Sequence, residues 1–332
     1  MSVTRRRFIT ITAAAAGLAL MPRMPGAAAQ GGQANLRSWR GVALGADAML
    51  RINHPDPKVA DRLIERSIAE VRRLERIFSL YAPDTAISLL NRQGRITEPP
   101  ADFLRLLSES EDYARMTGGA FDITVQPLWR LYAEHFSKPG ADKDGPSAHE
   151  RARALASVGH DSVAFDASRV EFMRPGMGLT FNGIAQGYMT DRVTELLLAS
   201  GIERALVDMG EIRALGENPS GEPWRVGIED PRKPDRIAET VELANLAIAT
   251  SGGYGTVFDP AGRSNHIFDP RTGLTARRYL GVSVLAPSAT RADALSTAFS
   301  LMPLDETQAI VRRLGIEARF VLPDGTRIVQ TA

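Results

Sequence analysis

Apolar residues recur every three or four positions between Pro57 and Phe78, which predicts an amphipathic helix with one apolar stripe. A second helix is predicted over Ala101–Thr117, because two glycines follow it. A helix stopped by Gly201 is predicted over Gly183–Ser200, and a short helix is expected after the polar loop at 138–146. Two closing helices are expected near Asp293–Met302 and Asp305–Leu314.

Short runs rich in β-branched and aromatic residues predict strands along much of the remaining chain. Ser38–Asn53 is typical of a strand or a bent hairpin, and Val163–Phe181 of two or three short strands. The later strands are expected at Ala205–Asp208, Trp224–Ile228, Glu239–Leu243, Leu246–Ala249 and Leu280–Ala286, with a last hairpin at Ala318–Val329. Strands in runs, with helices grouped between them, favour an α+β fold with antiparallel pairing over a doubly wound parallel sheet.

The N-terminal residues have the pattern of an export signal. Residues 4–9 read TRRRFI, an apolar run follows to Met21, and Ala27–Ala29 supplies a small-residue cleavage site. The apolar run is too short to span a bilayer. We therefore expect residues 1–29 to be a twin-arginine signal peptide, recognised by the twin-arginine export machinery, and residues 30–332 to be a single periplasmic domain.

Charge and cysteine content exclude several classes of function. The chain has 40 basic and 39 acidic residues, and the signal segment holds four arginines and no acid. The remainder has 36 basic against 39 acidic residues, a net charge of about −3, which does not suit nucleic-acid binding. The absence of cysteine excludes disulfides, a thiolate metal site and a cysteine nucleophile.

The C-terminal third carries the strongest candidate chemistry. Residues 266–273 read HIFDPRTG, a tight turn with a titratable imidazole at His266, and Asp293 and Thr297 lie four apart on one face of a predicted helix. Mg²⁺ usually takes only one or two protein carboxylates, so Asp293 with the Thr297 hydroxyl suits chemistry on a phosphate. The structural alternatives are a first-turn or capping role for Asp293 and a back-bonded buried hydroxyl for Thr297.

Three other segments have both a functional and a structural interpretation. Tyr81 could stack on a flat ring or belong to the core. Asp122 and Thr124 would point the same way in an extended segment, although Asp122 could also be a helix cap. Asn182 and Gly183 lie between a predicted strand and a helix whose N-terminus could bind a phosphate, but many such joints bind nothing.

Taken in order, these segments resemble the ApbE family of FAD:protein FMN transferases over nearly the whole chain after the signal. The matching stretches are Phe78–Tyr81, Gly119–Leu128, Asn182–Tyr188 with Asp191, Thr250–Gly252, His266–Gly273, and Asp293 with Thr297. The resemblance implies an α+β fold of largely antiparallel sheets flanked by helices, with a flavin site in the cleft between two lobes. The signal and the NGIAQGY sequence resemble the NosX-type branch, which is associated with nitrous-oxide reduction.

The resemblance also implies an activity. Such enzymes bind FAD, cut its pyrophosphate and attach FMN to a Ser or Thr of an exported or membrane flavoprotein, such as a nitrous-oxide-reduction or redox-pump component, and AMP leaves. The flavin would be held by Tyr81, Ala120, Phe121 and Asp122, and the rest of FAD by Thr180, Gln186 and Phe268. Mg²⁺ would be bound by Asp293, Thr297 and a main-chain oxygen near Gly183. His266 is the candidate base for the acceptor hydroxyl, because an imidazole titrates near neutral pH.

The sequence departs from the family pattern at three places and leaves rival functions open. Leu44-Gly45-Ala46 stands where the family often has Met-Gly-Thr, Thr180 where it often has Asp, and Gln186 where it has Lys or Glu. The same site with water as the nucleophile would be an FAD pyrophosphatase, and a non-catalytic flavin carrier is a further alternative. The segment Asp324–Thr326 partly resembles an acceptor motif, but Asp-Gly predicts a hairpin turn there.

Overall fold

The computed structural model describes residues 35–259 and 261–332, so the predicted signal peptide lies outside the described residues. Within them the chain forms the helices α1 Pro57–Phe78, α2 Ala86–Gln93, α3 Ala101–Met116, α4 Gln126–Phe136, α5 Ala148–Leu155, α6 Ala185–Ala199, α7 Ala289–Phe299 and α8 Leu304–Leu314. None of these helices is long and apolar enough to cross a membrane.

The strands form three separate sheets. They are β1 Leu36–Ala43, β2 Ala46–Asn53, β3 Arg95–Thr97, β4 Val163–Phe165, β5 Arg169–Phe172, β6 Ala205–Asp208, β7 Ile212–Leu215, β8 Trp224–Asp230, β9 Lys233–Leu243, β10 Ala247–Ser251, β11 Gly281–Ala286, β12 Glu317–Val321 and β13 Arg327–Gln330. The large sheet has the order β1-β2-β6-β7-β10-β11-β12-β13, while β3-β5-β4 and β8-β9 stand apart. Every pairing is antiparallel, which confirms the α+β prediction.

Alternating side chains give the large sheet two buried faces. Leu50 and its same-face neighbours join the main core, which also contains Leu74 of α1 and Leu295 of α7. Met49, the next residue along β2, instead belongs to a second core whose members include Val226 and Val241 of the β8–β9 ribbon. The sheet is therefore sandwiched between a helical layer and a two-stranded ribbon.

Several predicted boundaries agree closely with the structure. Helix α1 has the predicted bounds, with Asp56 as its cap accepting a hydrogen bond from the Lys58 N–H. The stretch Ser38–Asn53 is the β1–β2 hairpin, and the turn at Asp324–Thr326 joins β12 to β13. The Asp-Gly sequence thus forms a hairpin turn, as its turn chemistry predicts.

Two of the differences from the predicted boundaries lie at the candidate site. Residues 173–184 lie outside any strand, because side-chain and loop contacts rather than a sheet ladder bind this segment. Helix α7 begins at Ala289 with Ser288 as its cap, four residues before the predicted start. Asp293 is therefore neither a cap nor a first-turn acid, and its carboxylate is placed by contacts with another helix.

Candidate active site

One pocket is lined by all eleven residues that the sequence analysis assigned to a site. They are Tyr81, Ala120, Phe121, Asp122, Thr180, Gly183, Gln186, His266, Phe268, Asp293 and Thr297. These residues come from five separate stretches of the chain. The fold therefore brings the whole predicted set together.

Helices α6 and α7 form one wall of the pocket and touch at Gly187. A Cβ at position 187 would overlap the main-chain oxygen of Ala289 and lie 2.8 Å from the Cβ of Asp293. The Gly187 N–H donates to Oδ2 of Asp293 at 3.0 Å. A side chain at 187 would separate the helices, so this glycine sets the position of the Asp293 carboxylate.

Asp191, also on α6, ties the start of α7 to the same wall. Its buried carboxylate accepts hydrogen bonds from the N–H groups of Ala289 and Thr290, at 2.9 and 2.8 Å, and from the Thr290 hydroxyl at 2.6 Å. It also pairs with Arg213 of β7 at 2.5 Å. Asp191 therefore acts as a cap supplied by a neighbouring helix, and it fixes α7 relative to α6 and the sheet.

Asp293 sits in an acidic environment. Burial, with the nearby charge of Asp191, raises the pKa of Asp293 to about 7 despite the hydrogen bond from Gly187. Glu211 lines the same pocket, and burial together with the charges of Asp293 and Asp208 raises its pKa well above the usual range. A cation among these carboxylates would relieve their mutual repulsion.

Sequence reasoning missed Glu211. It lies in the turn between β6 and β7, and β7 itself was not predicted. The carboxylate accepts a hydrogen bond from the Thr250 N–H, and the Thr190 hydroxyl holds the Glu211 carbonyl at 2.8 Å. The only sequence signal is an acid placed after Gly210 between two apolar runs, which is also typical of an ordinary turn.

The donors near Thr297 suit a hard divalent cation. The Thr297 hydroxyl lies on the pocket wall beside Gly183, where a Cβ would come within 3.0 Å of its Oγ1. In residues 35–259 and 261–332 no group of three or more His, Asp or Glu is placed to hold a metal ion. A cation here would depend on the Asp293 carboxylate, the Thr297 hydroxyl, main-chain oxygen and the ligand's own phosphates, a set that Mg²⁺ accepts.

The start of α6 offers less to an anion than the sequence suggested. The N–H groups of Ile184 and Ala185 both bond to the Phe181 carbonyl, and that of Gly187 bonds to Asp293. The Asn182 N–H bonds to the Thr180 hydroxyl at 3.1 Å. These four donors are therefore already used inside the protein.

The opposite wall is more apolar and is built from loops. Phe121, Ile123 and Phe268 are buried there, whereas Tyr81 is 48% exposed at the pocket. Trp129 of α4 also lines this wall, packed edge-on against Phe258 with ring centroids 5.8 Å apart. Sequence reasoning missed Trp129, because α4 was not predicted.

Asp122 organises the loop at this wall rather than capping a helix. Its Oδ1 accepts hydrogen bonds from the N–H and the hydroxyl of Thr124, at 2.7 and 2.6 Å, and its Oδ2 accepts from the His160 N–H at 3.0 Å. The Thr124 hydroxyl in turn accepts from the Gly159 N–H. Asp122 and Thr124 thus bond to each other in a turn, not side by side on a strand.

Side-chain contacts also place Thr180 and Gln186. The amide of Asn91 bonds to both the N–H and the carbonyl of Leu179, and the Thr180 N–H bonds to the Ile123 carbonyl. The Gln186 amide lies over Gly210, where a Cβ would approach its Nε2 to 2.5 Å. The uncharged side chains of Thr180 and Gln186 are therefore both held at the pocket wall.

His266 is held by the main chain of Thr256. Its Nδ1 lies 3.2 Å from the Thr256 nitrogen and 3.1 Å from the Thr256 oxygen, and its own N–H donates to that oxygen. Nε2 is the nitrogen left for a ligand. Burial lowers the pKa of His266, so the imidazole is neutral at neutral pH and can accept a proton.

The fold and the pocket define a class: an α+β protein with a cleft that joins an aromatic wall to an acidic, hydroxyl-rich wall. The ApbE family pattern matches residues 44–320, and the chain belongs to that family. It is 32% identical to the FAD:protein FMN transferase of Vibrio cholerae over 77% of each chain, and 30% identical to that of Haemophilus influenzae over 74% of this chain and 73% of the relative.

Solved structures of the same family have the same fold. The ApbE protein of Thermotoga maritima superposes with a TM-score of 0.77 at 30% identity, covering 89% of this chain and 97% of that one. The flavinyl transferase ApbE of Pseudomonas stutzeri, in its apo form, superposes with a TM-score of 0.75 at 28% identity, covering 89% and 94%.

Proposed function

We propose that this protein transfers the FMN moiety of FAD to a Ser or Thr hydroxyl of an acceptor flavoprotein and releases AMP. One observation carries the proposal: the residues that the ApbE resemblance assigns to flavin, metal and base all line one pocket. The names of the curated relatives support the same reaction.

The reaction exchanges the phosphoanhydride bond of the FAD pyrophosphate for a phosphoester bond to the acceptor. The acceptor hydroxyl oxygen attacks the FMN phosphorus, the bond from that phosphorus to the bridging oxygen breaks, and AMP leaves with the bridging oxygen. The acceptor proton passes to Nε2 of His266, which requires the tautomer in which Nδ1–H donates to the Thr256 carbonyl and Nδ1 no longer accepts the Thr256 N–H. A lowered pKa keeps the imidazole neutral before the transfer.

Mg²⁺ would be held by Asp293, Thr297 and a main-chain oxygen near Gly183. When bound, it would neutralise pyrophosphate charge and stabilise the AMP leaving group. The protein's own part is to hold these oxygen donors in place. Gly187 and Asp191 do this for α7, as the contacts between α6 and α7 require.

The aromatic wall would receive the isoalloxazine ring. Aromatic rings stack in offset or edge-on arrangements, and Tyr81, Phe121 and Trp129 offer such surfaces. Leu44 also lines the pocket and replaces the more usual methionine with another apolar side chain. Apolar contact with the flavin can therefore be retained.

The acceptor and the location are part of the same proposal. The N-terminal pattern supports export by the twin-arginine pathway and a periplasmic acceptor, in a nitrous-oxide-reduction system or a membrane redox pump. Replacing Arg5 and Arg6 by Lys should keep the protein in the cytoplasm. Recovery of that variant in the periplasmic fraction at the unmodified level would contradict this part of the proposal.

The decisive experiment incubates the purified protein with FAD, Mg²⁺ and a periplasmic FMN-binding acceptor domain. Intact-protein mass spectra of both proteins should show one FMN added to the acceptor, only when metal is present. The control is an acceptor whose modified Ser or Thr is replaced by Ala.

The other outcomes identify the rival functions. FAD consumed to free FMN and AMP, with no gain in acceptor mass, would establish a pyrophosphatase. FAD that stays intact but bound would establish a flavin carrier. A mass gain on this protein itself would indicate self-modification, against the hairpin role of Thr326.

A further inference from the structure

A chain of three hydroxyl groups, those of Ser296, Ser251 and Thr297, ends at the candidate metal ligand Thr297. Ser296 Oγ lies 2.9 Å from the Asp293 carbonyl and 2.8 Å from Ser251 Oγ. Ser251 Oγ lies 3.2 Å from Thr297 Oγ1. The chain therefore links the main chain of one proposed ligand, Asp293, to the side chain of the other.

Hydrogen-bond counting fixes the direction of this chain. Each hydroxyl has one hydrogen, and a carbonyl can only accept. Ser296 must give its hydrogen to the Asp293 carbonyl, so the hydrogen between Ser296 and Ser251 comes from Ser251. The contact between Ser251 and Thr297 must then use the hydrogen of Thr297.

We propose that Ser296 and Ser251 are positioning residues, which hold the Thr297 hydroxyl with its hydrogen turned away from the cation and its lone pairs free to bind it. The inference rests on the proposed metal-dependent function. A metal ligand must present a lone pair, and outer partners that orient ligands commonly tune metal affinity.

The positions of the three residues show which of them can contact a cation in the pocket and which can only orient its ligand. Ser296 is fully buried, and the pocket lining includes Ser251 and Thr297 but not Ser296. The methyl group of Thr297 packs beside Gly183, where a Cβ would lie 3.1 Å from it. This contact and the restricted χ1 of a β-branched side chain fix the position of Thr297 Oγ1. Rotation of the hydroxyl hydrogen is then the main remaining degree of freedom of the side chain.

The test measures binding of Mn²⁺ to the purified protein, alone and with FAD bound, from the loss of the free-ion EPR signal. In Ser296→Ala the hydrogen of Ser251 is released and can turn to Thr297 Oγ1, where it would occupy a lone pair. In Ser251→Ala the Thr297 hydrogen loses its acceptor. Each substitution should weaken Mn²⁺ binding by about tenfold.

Ser300→Ala is the matched control. Ser300, the C-cap residue of α7, is also a buried serine, but its hydroxyl donates to the Ser296 carbonyl at 2.8 Å and takes no part in the chain. It should leave Mn²⁺ affinity unchanged. Ser296→Thr, which keeps a hydroxyl, should retain most of the affinity.

Three results would overturn the proposal. Unchanged affinity in both Ser296→Ala and Ser251→Ala, with binding abolished by Asp293→Ala, would remove the positioning role and leave the metal site intact. An equal loss in Ser300→Ala would mean general loosening of α7. No Mn²⁺ binding by the unaltered protein, alone or with FAD bound, would remove the metal part of the proposed function as well. Because Ser251 is only partly buried, its variant keeps the test open if Ser296→Ala fails to fold.

Discussion

The α6–α7 wall of the pocket and the loop wall around Tyr81 and Phe268 are held by different contacts. The helical wall depends on a glycine contact, a buried carboxylate cap and a hydroxyl chain, all in the interior. The loop wall depends on aromatic packing and on a turn organised by Asp122. The difference matches two tasks, since phosphate chemistry needs fixed oxygen positions, whereas binding a flat ring depends mainly on contact area.

If the helical wall carries the chemistry, the largest loss of transfer activity should follow removal of the Asp293 carboxylate. Asp293→Ala should lower metal-dependent FMN transfer by at least about 100-fold, because it removes the carboxylate among the proposed metal ligands. Transfer is measured by acceptor mass, and circular dichroism checks that the fold remains. Full activity in this variant would contradict the placement of the metal.

His266→Ala tests the base, which stands between the two walls. We expect transfer to fall by roughly 10²–10⁴-fold while FAD binding is retained, because the side chain accepts a proton and does not hold the flavin. Single-turnover transfer and FAD titration separate the two effects. An unchanged transfer rate would mean that the acceptor hydroxyl needs no base at this position.

Gly187→Ala tests whether the close approach of the helices is required. The new methyl group would overlap the Ala289 carbonyl, so we expect a loss of about 1–3 kcal/mol in the free energy of unfolding and a lower affinity for metal. Denaturant unfolding measures the first effect. Leu198→Ala, at an exposed position of the same helix, is the control and should change both quantities little.

The sequence predicted some elements of the two walls and missed others. Repeated apolar spacing predicts α1, the glycine after Ser200 marks the end of α6, and fixed motifs identify Asp293 and His266. The shorter α2 and α4 were missed, because eight or eleven residues give a weak periodic signal, and α4 begins with Gln-Pro after a turn. Trp129 and Glu211 were missed with the elements that carry them. The cap that Asp191 supplies to α7 is a contact between residues about a hundred positions apart, which local patterns do not encode.

The acidic cluster at the helical wall should make stability depend on pH and metal. Burial raises the pKa values of Asp293 and Asp208 to about 7, and that of Glu211 is also raised. An acid with a raised folded-state pKa stabilises the fold while protonated, and this contribution is lost as pH rises from its ordinary pKa through the folded value. The metal-free protein should therefore be less stable at pH 8 than at pH 5.5.

Thermal unfolding with and without Mg²⁺ at the two pH values checks this expectation. Mg²⁺ should raise the melting temperature more at pH 8, where the carboxylates are ionised, than at pH 5.5. Glu211→Gln should reduce the pH dependence in metal-free buffer, and Glu217→Gln, at an exposed position, should not. A metal-free protein whose stability rises between pH 5.5 and 8 would argue against the acidic cluster.

The smallest effect is expected at the loop wall. Tyr81 is about half exposed, so its ring can add contact area to a bound flavin without supporting the core. Tyr81→Ala should weaken FAD binding by several-fold, in line with about 0.5–1.5 kcal/mol for an aromatic pair, with little change in unfolding free energy. Tyr81→Phe keeps the ring and should restore most of the affinity. If Tyr81→Ala instead removed transfer as completely as Asp293→Ala while FAD still bound, the loop wall would be taking part in the chemistry, and the division between the two walls would fail.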